Sequence, residues 1–94
     1  MKWSTDDGSK SLQSVQLALE TLLPQIKAVD GFKSVQRVVC GGCLDFKVVI
    51  ALPVDKWPAW EAAKFAPEEQ FLAAARSVPG VSTIETQNYT LMTL

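Results

Sequence analysis

The stretch Cys40-Gly41-Gly42-Cys43-Leu44-Asp45-Phe46-Lys47-Val48-Val49-Ile50-Ala51-Leu52 decides how this chain is read. Leu44, Phe46, Val48, Ile50 and Leu52 alternate with Asp45, Lys47, Val49 and Ala51, the period of a strand with one buried face. The preceding segment, Phe32 to Val39, is also strand-prone, though its apolar residues fall on both faces. Two such runs flanking Gly41-Gly42 predict an antiparallel hairpin with a two-residue turn, because primed turns need positive φ and glycine reaches it without a Cβ clash.

Toward the N-terminus, Asp30-Gly31 supplies a turn. Before it, Leu12, Val15, Leu19, Leu22 and Ile26 recur at steps of three and four, which predicts an amphipathic helix. Ser9 or Ser11 is placed to cap its first turn, and Pro24, lacking a backbone donor, is expected to kink or end it near Leu23. Residues 1–8 read as loose chain or, around Met1 to Ser4, a short edge strand.

Toward the C-terminus, Pro53 closes the strand, and Asp55 is placed to cap a short helix carrying Trp57, Pro58 and Trp60. Pro67, Glu68 and Glu69 put proline at the first position and carboxylates in the first turn of a further helix, where the macrodipole favours them. Phe71, Leu72, Ala75 and Val78 form its apolar face, and Pro79-Gly80 stops it. Val81 to Leu94, rich in Thr, Val, Ile and Tyr, reads as a strand broken near Gln87-Asn88. With a strand at Met1 to Ser4, the order becomes βαββαβ. The expected architecture is therefore α+β, a ferredoxin-like split βαβ with an antiparallel sheet, in one domain spanning 1–94. Helices would cover one face and leave the other for a partner, the arrangement of dimeric α/β proteins.

With 94 residues, 48% hydrophobic and 20% charged, the chain suits a single modest core. Nine basic and ten acidic residues leave a formal charge of -1, no footprint for a phosphate backbone or an anionic lipid surface. Neither an apolar leader nor a stretch near the roughly 20 apolar residues of a membrane span is present, so a cytoplasmic protein is expected. The chain has no histidine, which excludes Ser-His-Asp and Cys-His nucleophiles and His-containing zinc sites built from this chain alone. No pair of carboxylates is spaced for acid–base work, no catalytic residue is assigned, and no cofactor is expected.

Val35, Val38 and Val39 lead to Gly42-Cys43-Leu44-Asp45-Phe46, and Val78-Pro79-Gly80-Val81-Ser82-Thr83-Ile84-Glu85-Thr86 follows later. In this order and content the chain resembles the effector-binding (RAM) domain of Lrp/AsnC regulators. The resemblance implies a ferredoxin-like fold, oligomers whose sheets pair back to back, and a small-molecule effector near Gly41, Gly42 and Asp45. The chain departs from that pattern at Cys43 and Leu44, in its very short first strand, and in an inserted segment, residues 53–66; it also has no room for a helix-turn-helix. A looser resemblance, carried by Lys2-Trp3 and by Gly41-Gly42 before Phe46-Lys47-Val48, is to the nucleotide-exchange domain of the elongation factor 1 beta family.

Cys40 and Cys43 are the only cysteines. A strand rather than a helix follows them, so the dipole that lowers a thiolate pKa is missing. Three states stay open: reduced thiols in a structural turn, a bridge or redox-responsive pair across the hairpin, and half of an intersubunit metal site. Trp57, Trp60 and Phe65 are candidates for partner contact, with closure of the open end of the core as the alternative. The leading functional expectation is a non-enzymatic homodimer or higher oligomer that binds a small molecule or a protein through its sheet face and hairpin. A small enzyme with an intersheet pocket using Tyr89, Arg37 or carboxylates, and a thiol or metal sensor, are the alternatives.

Overall fold

The computed structural model describes residues 1–5 and 10–90 of the chain. In order they form α1 (Lys10–Lys27), β1 (Ser34–Cys40), β2 (Asp45–Ala51), a 3-10 turn η1 (Val54–Lys56), α2 (Trp57–Ala62) and α3 (Glu68–Arg76). This is a mixed α+β fold with a two-stranded antiparallel sheet. In its register Ser34 faces Ala51, Val35 faces Ile50 and Cys40 faces Asp45.

The apolar stripe of α1 is its buried face. Ser11, Val15, Leu19, Leu22 and Ile26 are all buried, and the last four join Trp3 and Phe46 in one cluster. Met1, Val35, Leu44, Val48, Ile50, Phe71 and Val78 pack around it, so α1 and α3 share one face of the sheet. Each large apolar side chain so buried contributes roughly 1.5–3 kcal/mol relative to exposure. Paired residues of an antiparallel ladder point to the same side. Val35, Arg37 and Val39 therefore share the helix-covered face with Ile50, Val48 and Phe46, while Gln36, Val38, Lys47 and Val49 lie on the other.

Helix α1 does not end at Leu23. It runs through Pro24 to Lys27, and Ala28 N–H donates to the Pro24 carbonyl at 3.1 Å, so the ladder resumes past the proline. Pro24 and Glu20 are exposed, which lets water meet the carbonyl that loses its donor, while buried Leu22 and Ile26 hold the last turns in place. The expected cap at Ser9 lies outside the described residues. Ser11 is no cap but a buried clamp: its Oγ accepts from Ser4 N–H at 3.0 Å and donates to the Ser4 carbonyl at 3.1 Å.

The expected edge strand at Met1 to Ser4 is bridged on both sides. Lys2 makes isolated antiparallel bridges to Asp45 and to Ser82, with Lys2 N–H to Ser82 O at 2.9 Å and Ser82 N–H to Lys2 O at 3.0 Å. Beyond Ser82 the expected C-terminal strand is absent among the described residues. Thr83 takes φ 53°, which breaks extended geometry immediately after the bridge, and 83–90 carry no regular structure. Residues 91–94 lie outside the described residues. In place of the four expected strands, the described residues hold two strands and two isolated bridges at Lys2.

Nor does Asp55 cap α2, which follows η1 directly with Lys56 at its N-cap position and no side-chain bond there. Pro67 precedes α3 rather than opening it, although Glu68 and Glu69 occupy the first turn as expected. Gly80, at φ 90°, ends the α3 region; a Cβ there would meet Ser11 Cβ at 3.2 Å and Ser4 Cβ at 3.3 Å. Glycine is required at this junction of three segments.

Candidate functional site

The hairpin at 40–45 gathers most of the residues singled out from the sequence. With Cys40 opposite Asp45, the loop is Gly41-Gly42-Cys43-Leu44, four residues rather than two. The left-handed position is Leu44, at φ 54°, and neither Gly41 nor Gly42 has positive φ. The reason lies in the neighbours of Leu44. Its carbonyl accepts Trp3 N–H at 3.0 Å and its side chain packs on the core cluster, so tertiary contacts offset a local cost that glycine would have avoided. A Cβ added at Gly41 or Gly42 would meet nothing within 4 Å, which leaves that backbone open to solvent.

Cys40 and Cys43 are joined in a disulfide with Cα atoms 5.5 Å apart, and no described cysteine is free. Of the three open states, the structure therefore holds the bridge and not the reduced turn. Cys43 is exposed and Cys40 half-buried. Cys43 N–H points at Cys40 Sγ, 3.2 Å away. Lys2 Nζ donates to the Cys43 carbonyl at 2.9 Å, tying the loop to the N-terminal segment.

Asp45 is engaged with cations. Lys47 Nζ lies 3.2 Å from its carboxylate and the N-terminal ammonium 3.7 Å away. Partial burial pushes its pKa up, but the Lys47 hydrogen bond and the charges of Lys47, the N-terminus and Lys2 outweigh it, holding the carboxyl below its ordinary value. At α3, burial and then the neighbouring Glu69 push Glu68 up.

The loop residues line neither of two shallow grooves. One, of about 270 Å³, lies between α1 and β1 and is lined by Gln16, Leu19, Leu23, Lys27, Val35 and Arg37. There Arg37 Nη1 donates to Gln16 Oε1 at 2.7 Å, so this guanidinium is occupied within the fold, while Tyr89 stands 55% exposed and apart from that groove. The other, about 410 Å³, runs between α1 and α3 past Leu17, Ala18, Thr21 and Ala74. No group of three or more metal-ligating side chains occurs among the described residues.

Trp57, Trp60 and Phe65 come together, with ring centroids 5.0 to 5.5 Å apart. They pack on one another instead of closing the core, whose surrounding side chains do not include them. Lys64 and Phe65 both adopt φ 57°, and Phe65 N–H returns to the Trp60 carbonyl at 2.9 Å, folding the phenyl ring back onto the indoles. Both indole N–H groups are satisfied, Trp57 by Glu61 Oε2 and Trp60 by the Ala66 carbonyl, each at 2.9 Å. Ser11 and Lys2, which stitch the N-terminal segment to the hairpin and to α1, were not singled out beforehand as contact residues. For Ser11 the signal was present, since it extends the helical stripe by one step of four, and a serine on an apolar face must find a partner. No family model matches the chain, and no curated protein and no solved structure matches it significantly.

Proposed function

We propose that this chain is a non-enzymatic, self-associating binding module of ferredoxin-like plan, with the uncovered sheet face as its contact surface and the 40–45 hairpin at its rim. The observation that carries the reading is the asymmetry of the sheet. Core side chains from α1 and α3 lie on one face, whereas the face bearing Gln36, Val38, Lys47 and Val49 has no helix packed broadly on it among the described residues. Val38 is 47% exposed there. Burying that side chain against a second copy would remove its apolar surface from water.

The ferredoxin-like plan is supported by the order Ser82, Lys2, Asp45, β1 across the bridges, all antiparallel, which places the N-terminal segment centrally as βαββαβ requires. Alternating opposite charges, Asp45 and Lys47 beside each other, suit an isologous two-fold contact in which each meets its opposite on the second copy. No helix is long and apolar enough to cross a membrane, and a cytoplasmic setting is part of the proposal. A small-molecule effector at Gly41, Gly42 and Asp45 belongs to the same reading as a rim ligand.

Sedimentation velocity over a wide concentration range tests it. The wild-type chain is expected to form a dimer or larger closed oligomer, and Val38→Glu to dissociate it with the far-ultraviolet circular dichroism unchanged. A wild-type monomer throughout, or an oligomer indifferent to charge at position 38, overturns the reading.

A further inference from the structure

The bridge at the hairpin has a polarity that goes beyond association through the sheet and does not depend on it. Disulfide exchange begins when a thiolate attacks one sulfur in line with the S–S bond, and it favours the sulfur that is accessible and whose partner leaves more easily. Both conditions select the same end of this bridge. Cys43 is exposed whereas Cys40, the last residue of β1, is half-buried, and Cys43 N–H, 3.2 Å from Cys40 Sγ, is in place to donate to a thiolate formed there. Such a charge-assisted bond to the leaving sulfur lowers its energy as the S–S bond breaks. Lys2 Nζ, held at the Cys43 carbonyl, adds a positive charge to the loop that an anionic thiol must approach.

We infer that Cys40–Cys43 is a thiol-exchange site at which a glutathione-type monothiol attacks Sγ of Cys43 and expels Cys40 as the thiolate. In the first step the new S–S bond joins the monothiol sulfur to Cys43, and the electron pair of the old bond departs on Cys40. Cys40 then either returns to attack Cys43 Sγ, releasing the monothiol and restoring the bridge, or takes a proton from water. If a second monothiolate attacks the outer sulfur of the adduct, Cys43 leaves as a thiolate. The net change is two-electron reduction of the bridge and oxidation of two monothiols to their disulfide. Cys43 is thus the modification site and Cys40 the resolving thiol.

The test uses the full oxidised chain with reduced glutathione at neutral pH, sampled into acid, with released thiols trapped by maleimide. Trypsin cuts after Arg37 and Lys47, so fragment spectra of one peptide locate both labels. Glutathione on Cys43 with maleimide on Cys40 is expected in about tenfold excess over the reverse, the scale on which access and leaving-group differences act. In parallel, Cys40→Ser is expected to take up glutathione from its disulfide faster at Cys43 than Cys43→Ser does at Cys40, with both variants folded by circular dichroism. Equal or reversed labelling overturns the polarity. Two free thiols in the air-oxidised chain, or a bridge that glutathione opens only in denaturant, overturns the site itself.

Discussion

Two aromatic groupings of this molecule are built on opposite principles. The core brings Trp3, the α1 stripe of Val15, Leu19, Leu22 and Ile26, and Phe46 together from distant parts of the chain, so the contacts between these three groups close loops. The 54–66 segment forms its cluster from Trp57, Trp60 and Phe65 within nine residues of sequence, and its helix packs on its own 3-10 turn. Their polar groups differ in the same sense. Trp3 is 6% exposed and its indole N–H has no partner among the described residues, while the indoles of Trp57 and Trp60 are both hydrogen-bonded locally. A long-range core fixes Trp3 where packing demands, even with an orphaned donor. A local cluster can satisfy itself because backbone and side chains fold together over two turns.

Lys56 ties the segment to the turn at Asp30-Gly31. Lys56 Nζ pairs with Asp30 Oδ2 at 3.2 Å, and its aliphatic stem lies against Gly31, which is at φ 83°. This junction lets the contrast be broken. Phe46→Ala, at a residue 1% exposed, is expected to cost about 3–5 kcal/mol in urea denaturation, because the cavity opens inside the core cluster. Gly31→Ala comes next, at about 2 kcal/mol, since the new Cβ would come within contact distance of the Lys56 stem in a left-handed conformation. Lys56→Ala in the same chain is expected to relieve the steric part and leave the φ cost; a double mutant no more stable than Gly31→Ala alone would show that the stem is not the obstacle.

Trp60→Ala is expected to cost only about 1–2 kcal/mol from its two ring contacts, and to erase the near-ultraviolet signal of the cluster. Amide protection in β2 is expected to persist in that variant. If β2 amides lose protection as fully as in Phe46→Ala, the two regions are one cooperative unit and the contrast fails. The smallest effect concerns Asp45. Its folded pKa is lowered, so its stabilisation is present above the unfolded value, about 4, and lost as pH falls through the lower folded value. Melting temperatures from pH 7 down to acid are expected to fall less steeply for Asp45→Asn than for the wild type, and parallel curves would remove Asp45 from the account.

Legibility followed the range of the forces involved. The stripe from Leu12 to Ile26 and the alternation from Leu44 to Ile50 report which face of a single element is apolar, so α1 and β2 could be drawn from residue spacing. The hairpin was legible in its existence but not in its turn, because the choice of Leu44 over glycine for positive φ came from Trp3 and the core. Asp45 was legible as a hairpin residue, yet its engagement with Lys47 and the N-terminus needed the second strand and residue 1 in place. Trp57, Trp60 and Phe65 could be named as a group, while their turning inward depended on two consecutive left-handed residues that no propensity marks at Lys64-Phe65.

By itself, then, the sequence determined one helix face, one hairpin and the place of both cysteines at its tip, since each is a matter of neighbours within a few residues. Tertiary structure decided that α1 passes through Pro24, that Lys2 lies between Asp45 and Ser82, and that the chain leaves the sheet at Thr83. It also left Cys43 exposed and Cys40 half-buried at the two ends of the bridge. Those outcomes rest on balances between local cost and long-range packing, each of the order of one or two kcal/mol, and spacing along a chain carries no record of which side of such a balance wins.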